Sequence, residues 1–235
     1  MWYITTYRLV SPISLKLSTA TSTGGKSLLL PTPFAVKMAL LEPTLQDVGI
    51  SQAEAAWEAI CNASVAIDGP AKIMVNNTFV KIMKPVRGQP QPDVDTGLIP
   101  PMNHSIGFRE YVWWQGNCRL AIELDGDLDT AWSRRLTRIN YFGKRGGFVQ
   151  AVAPPVTCDI LDASFTNLCV TPESFAFNGT LQVMDDCAPN LSFEYVDIYS
   201  AKPLRIGKDR ILRHIVLPYE IERSSRSYTL YRRVI

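Results

Sequence analysis

No segment constrains the fold of this chain more than VRGQPQPDVDTGLIPP, residues 86–101. Proline lacks a backbone N–H and fixes φ, so Pro90, Pro92, Pro100 and Pro101 exclude a helix interior and a central strand. On either side the residues alternate between apolar and polar, through KIMVNNTFVKIMK before it and REYVWWQGNCRLAIEL after it. That is the pattern of strands with one buried face. The chain must leave a sheet and return to it. The spacing predicts a long ordered excursion at about 86–107, a projecting hairpin or a surface loop, between two neighbouring strands.

The remaining elements follow from local chemistry. WYITTYRLV (Trp2–Val10) is aromatic and β-branched and reads as a strand. PFAVKMALL, residues 33–41, carries a proline suited to a first helical turn. Ser51 and Glu54 form a capping box for a second helix whose Ala55, Ile60 and Trp57 or Ala56 face the core. Ser64–Asp68 and Lys72–Lys84 are expected to be extended, with a tight turn at Val75–Thr78. Phe108–Leu124 is the next strand, and on it the neighbouring Trp113 and Trp114 must point to opposite faces. Asp127 or Asp129 can cap a helix over Asp125–Ile139, with Trp132, Leu136 and Ile139 at core spacing, before a strand at Phe148–Val152. Weaker strand signals cover Phe175–Met184, Ser192–Tyr199, Arg210–Pro218 and Tyr228–Ile235. The first 152 residues thus run βαββαβ with an insertion, the α+β, ferredoxin-like order that RNA-recognition domains use. Residues 153–235 form a β-rich C-terminal region. The order alone does not assign a function.

Charge narrows the choice. With 24 Lys and Arg against 22 Asp and Glu, the net charge is +2, so a polyanion site must be a local groove. One stretch supplies it. RRLTRINYFGKRGGFVQ, residues 134–150, holds Arg134, Arg135, Arg138, Lys144 and Arg145 and no acid. Gly143, Gly146 and Gly147 let the backbone approach a ligand and present N–H groups. Tyr141, Phe142 and Phe148 bracket them with faces on which bases can stack. The same pattern also describes a helix C-terminus closed by glycine, with cations suited to its dipole. A second cationic cluster, Lys202, Arg205, Lys208, Arg210 and Arg213, either extends a phosphate path or forms a solvated strand face.

Other chemistry is thin. Gly24-Gly25-Lys26-Ser27 suggests a phosphate loop, but Pro31 and Pro33 interrupt the helix such a loop must feed, leaving Lys26 as a loop cation. His104 and His214 are the only histidines. His104, near Lys84, Arg109 and Tyr111 in sequence, supplies the residue types of a metal-independent ribonuclease. Asp125, Asp127 and Asp129 are better placed as helix caps than as metal ligands. Five dispersed cysteines without a CxxC predict reduced thiols, no metal and no cofactor. No apolar run is long enough to span a bilayer, which predicts a cytoplasmic protein.

Two of these motifs, LLLPTPFAVKMALLEP after the first strand and INYFGKRGGFVQ after the last helix of the βαββαβ unit, resemble the Cas-five family of CRISPR-associated proteins. The resemblance covers about residues 1–152. It implies a modified RNA-recognition (RAMP) fold with a thumb hairpin between its second and third strands, where 86–107 falls. It also implies non-catalytic capture of the 5′ handle of crRNA in a type I Cascade complex. The glycine-rich loop would be Gly143, Lys144, Arg145, Gly146 and Gly147. The backbone subunit and the large subunit would be neighbours, and target DNA would lie close by. One branch of that family cleaves precursor RNA with a tyrosine, a lysine and a histidine, and this chain has no adjacent Lys-His pair to match it. Lys26, Arg87, Arg109, Arg134, Arg138 and Tyr141, with the five loop residues, are the expected RNA contacts. A metal-independent endoribonuclease is the alternative, and a protein scaffold that binds no nucleic acid is a third.

Overall fold

Trp2–Leu9 (β1) lies near the middle of the main sheet in a computed structural model that describes residues 1–20, 25–86, 88, 91–99, 102–124, 130–170 and 178–234. The chain passes through two short strands, Leu15–Lys16 (β2) and Ser27–Leu28 (β3), into the helix Pro33–Asn62 (α1). Strand Val65–Asp68 (β4) leads to a hairpin of Lys72–Pro85 (β5) and Met102–Gln115 (β6). Asn117–Glu123 (β7), helix Thr130–Thr137 (α2) and Val149–Ala151 (β8) follow. The C-terminal region adds Val156–Cys158 (β9), Thr166–Asn167 (β10), Thr180–Cys187 (β11) and a short 3-10 turn at Phe193–Tyr195. Arg210–Leu217 (β12), Tyr219–Ser224 (β13) and Tyr228–Arg233 (β14) close it. The result is a mixed α/β architecture with few helices and antiparallel sheets.

The main sheet runs β10-β4-β7-β1-β8, with β9 also on β1, and every pairing is antiparallel. Alternation along β1 sorts its side chains. Tyr3, Tyr7 and Leu9 join the large core beneath the helices, whereas Trp2 and Ile4 turn to the other face. There Ala66, Ala121, Cys158, Leu161 and Phe165 cover them. Both faces of the sheet are therefore closed by the chain itself. Helix α2 is fixed by Tyr7, whose hydroxyl donates to the Leu136 carbonyl at 2.7 Å and whose ring meets Phe142 edge-on.

Helix α1 begins as expected: Thr32 Oγ1 accepts from Ala35 N at 3.1 Å and Pro33 occupies the first turn. The two predicted helices abut, because the only interruption is Gly49, whose φ of 76° breaks the helix at one residue. The first runs well past Leu41 and tolerates Pro43 inside it. A buried ion pair ties α1 to β11. Lys37 Nζ lies 2.6 Å from Asp186 Oδ1 and donates to the Cys61 carbonyl at 2.8 Å.

The hairpin differs from its sequence expectation in extent. β5 and β6 pair in unbroken register from Lys72↔Gln115 to Pro85↔Met102, while β4 and β7 pair directly with each other. The insertion between the second and third strands of the main sheet therefore spans both arms, well beyond 86–107. No turn exists at Val75–Thr78. Asn76 and Asn77 pair with Tyr111 and Glu110, and Asn77 also takes up the backbone near Arg226 and Ser227. The single strand expected over Phe108–Leu124 is two strands in two sheets. The chain turns at Gly116, with φ of 99°, a conformation that a side chain would strain. The arms join a sheet of order β13-β14-β5-β6. Trp114 is buried there and donates to the Leu29 carbonyl at 3.0 Å, while Trp113 is 39% exposed on the opposite face.

The C-terminal region reads less well. β11, β12 and β14 fall near their expected positions, but 192–199 holds the 3-10 turn at Phe193–Tyr195 in place of a strand. Its backbone groups bond locally, Tyr195 N to Ser192 O and Val196 N to Phe193 O. The caps proposed at Asp127 and Asp129 and the contact at Arg87 lie outside the described residues.

Candidate nucleic-acid interface

The glycine-rich segment forms a tight loop between α2 and β8. Tyr141 and Phe148 bridge across it, Val149 N donates to the Asn140 carbonyl at 2.9 Å, and Gly147 N donates to the Lys144 carbonyl at 3.2 Å. Ser11 pins it from the end of β1: its hydroxyl donates to the Gly146 carbonyl and accepts from Phe148 N at 2.7 Å. Two glycines are required sterically. Gly143 has φ of 71° and a Cβ there would lie 2.7 Å from Leu15 Cδ2; Gly146 has φ of 111°. The backbone consequently turns outward with Lys144 and Arg145 exposed, Arg145 by 81%.

The acids that meet the basic run come from α1. Glu42 pairs with Arg145 at 3.5 Å and also engages the Tyr141 hydroxyl. Burial, and then the Glu42 carboxylate, push that hydroxyl above its ordinary pKa. One turn on, Asp47 lies 2.6 Å from Arg134, 3.1 Å from Arg135 and 3.7 Å from Arg138, and Arg138 also donates to Gln46. The Arg134 guanidinium holds the Asp47 carboxyl below the usual carboxylate range. Arg134 and Arg138 thus dock α2 onto α1, and the loop cations Lys144 and Arg145 face outward.

Lys26 and Arg109 meet where the segment entering β3 lies against β6. Leu15 pairs with Leu28 and Lys16 with Ser27, while Ser27 Oγ accepts from Leu15 N at 2.9 Å. Gly25 lies flat on β6, its carbonyl accepting from Glu110 N at 2.8 Å. A Cβ at Gly25 would sit 2.0 Å from the Phe108 carbonyl oxygen. Lys26 is exposed beside this contact, next to Arg109, which donates to the Phe108 carbonyl.

Beneath the glycine-rich loop opens a groove of about 800 Å3 that the sequence did not reveal. Its walls are Leu15 and Leu28, Phe34, Met38 and Leu45 of α1, and Phe193, Val196, Ile198 and Tyr199. Lys16, Tyr141, Gly143, Lys144 and Arg145 rim it, and Glu42, Asp185 and Asp197 are its acids. Arg210 belongs to the wall. Its guanidinium pairs with Asp185 and lies 4.2 Å over the Phe34 ring. Three more cations of the second cluster pair with acids, Arg205 with Asp209, Lys202 with Glu194 and Arg213 with Asp186, while Lys208 is exposed.

No family model matches the chain. Over 143 residues it is 26% identical to a CRISPR-associated protein Cas5 of Archaeoglobus fulgidus, covering 60% of this chain and 56% of that protein. The chain is similar to Cas5. It aligns with just over half the length of that relative. A crystal structure of a CRISPR protein from Archaeoglobus fulgidus superposes with a TM-score of 0.46 at 12% identity, covering 100% of this chain and 92% of that one. Among the described residues no helix is long and apolar enough to cross a membrane, and no group of three His, Cys, Asp or Glu is placed to hold a metal ion.

Proposed function

We propose that this chain is a cytoplasmic, non-catalytic RNA-holding subunit of a type I CRISPR Cascade complex, gripping the 5′ handle of crRNA on the glycine-rich loop. The observation that carries this reading is the loop itself: exposed Lys144 and Arg145, between glycines at positive φ, stand on the rim of a groove walled by aromatics. Such an arrangement suits a folded-back strand, with phosphates on cations and N–H groups and bases turned aside. The strand order supports a ferredoxin-like RAMP reading. Taken as first to fourth strands, β1, β4, β7 and β8 lie in the order second-third-first-fourth, all antiparallel, with α1 and α2 as the crossovers. The sheet face that RNA-recognition domains often offer to bases is here covered by Cys158, Leu161 and Phe165, which favours the loop as the binding surface.

In this reading the β5–β6 hairpin is the thumb. Met83, Ile106, Val94, Leu98 and Ile99 are exposed along it and at its tip, where they would meet the backbone subunit and target DNA near the first guide nucleotides. The large subunit would contact another face.

Hairpin geometry supports a non-catalytic role. His104 sits opposite Met83 and is exposed. Tyr111 is seven residues along the same strand, about 24 Å away at 3.4 Å per residue, and Arg109 about 17 Å away. Lys84, opposite Asn103, is near His104, but Arg109 and Tyr111 lie too far along the strand to join them at one phosphodiester. A repeat RNA incubated with the protein in EDTA should therefore stay intact while remaining bound. Cleavage by the wild type that His104→Ala abolishes would replace this proposal with the endoribonuclease.

A further inference from the structure

We infer that Cys61 and Cys187 form a dithiol that a small hydroperoxide converts into a disulfide, joining the end of α1 to the end of β11. The two cysteines are held together by a shared frame. Cys61 Sγ donates to the carbonyl of Ala188, the residue after Cys187, at 3.5 Å. Lys37 Nζ donates to the Cys61 carbonyl and to Asp186 Oδ1, and that same oxygen accepts from Cys187 N at 2.8 Å. One ammonium thus fixes the backbone on both sides, and the two buried thiols hydrogen-bond to each other. A hydrogen bond from the Cys187 thiol holds Cys61 below its ordinary pKa, while that bond and burial push Cys187 up. Cys61 is therefore the nucleophile and Cys187 the resolving thiol.

The chemistry balances in two steps. The Cys61 thiolate attacks one oxygen of hydrogen peroxide, the O–O bond breaks, and hydroxide leaves behind a sulfenic acid. Cys187 then attacks the Cys61 sulfur. The S–S bond forms, and the Cys187 proton and the sulfenic hydroxyl depart as water. The two electrons lost by the thiols reduce the peroxide. Cys169 lies near the same Asp186, but burial raises its thiol to about 11 and its Sγ accepts from Val65 N at 3.2 Å. A surface clasp controls entry. Asn62 Nδ2 donates to Asn190 Oδ1 at 3.2 Å, and Asn190 N donates to Asn62 Oδ1 at 3.1 Å, both residues being exposed. Asn190 has φ of 55°, and among the described residues no other non-glycine has a positive φ. Releasing the clasp frees the segment after β11 from α1, a local opening wide enough for a molecule little larger than water.

The test treats the reduced full chain with hydrogen peroxide, alkylates the remaining thiols under denaturing conditions and maps the peptides by mass spectrometry. The Cys61 and Cys187 peptides should be joined and two hydrogens lighter, with Cys118 and Cys169 still alkylated. The melting temperature should rise by roughly 4–16 °C, because the bridge closes a loop of about half the chain, and dithiothreitol should reverse the rise. Asn190→Gly keeps the backbone conformation and removes the side-chain half of the clasp, so it should oxidise several-fold faster. Cys169→Ser should form the bridge as wild type does. Cys61 and Cys187 both still alkylated once Cys158 has been oxidised would overturn the proposal. A bridge to Cys169 in place of Cys187, or a Cys61–Cys187 bridge that leaves the melting temperature unchanged, would also overturn it. An unchanged rate in Asn190→Gly would refute the clasp as the gate. None of these readouts involves RNA, so the outcome stands apart from the RNA-holding proposal.

Discussion

Replacing Lys144 and Arg145 together with alanine is expected to weaken single-stranded RNA binding about 25-fold at 0.1 M salt. Each phosphate contact contributes a slope of about 0.7 in log affinity against log salt for a single strand, a factor of about 5 at that concentration. The pair therefore removes about 1.4 from the slope, and the deficit shrinks as salt rises. Both side chains are exposed, so the fold should be unaffected. Glu42 works in the opposite direction. It holds Arg145 at 3.5 Å in the free protein, so RNA must displace it. Glu42→Gln should accordingly tighten binding. A salt titration in which the double variant retains the wild-type slope would place the phosphates elsewhere.

Asp186→Ala should be the most destabilising single change described here, costing about 3–5 kcal/mol in denaturant unfolding. Lys37 and Asp186 are both almost fully buried, and the carboxylate also accepts from Cys187 N at 2.8 Å. Removing it leaves the Lys37 ammonium in the core with the Cys61 carbonyl as its remaining hydrogen-bond partner, while Arg213, 3.5 Å from Asp186, loses its counter-charge. An uncompensated buried charge is costly because water is unavailable to replace the lost ligand. The ion pair joins α1 to β11, and α1 and the segment following β11 and the 3-10 turn form opposite walls of the groove. The variant should therefore also bind RNA more weakly near its melting temperature. A loss below about 1 kcal/mol would mean that water reaches Lys37 and that the pair is not structural.

What the sequence discloses follows from the range of each interaction. Composition and strand geometry are local, so β1, aromatic and β-branched, and the opposed faces of Trp113 and Trp114 could be read directly. The helix start was read from Pro33 alone, whereas the Thr32 cap emerged only from the structure. The corner at Gly116 was missed because alternation continues across it, and only the backbone reveals that the chain changes sheets. The basic run was legible as a cluster, but its neutralisation was not. Glu42 and Asp47 lie roughly a hundred residues earlier in sequence and meet the arginines only once α1 packs beside α2. The groove was hidden for the same reason: Phe34 and Tyr199 come from opposite ends of the chain. Ser192–Tyr199 looked like a strand because its aromatics satisfy strand propensity, whereas local 3-10 bonds and the packing of Phe193 and Val196 prevailed.

Ultraviolet crosslinking of bound single-stranded RNA, with the modified residues located by mass spectrometry, tests most directly where the strand lies. RNA held on the glycine-rich loop should mark Tyr141, Phe148 or Tyr199, and the marks should vanish at high salt. Adducts confined to Tyr111 and Trp113, on the outer face of the hairpin sheet, would contradict the account.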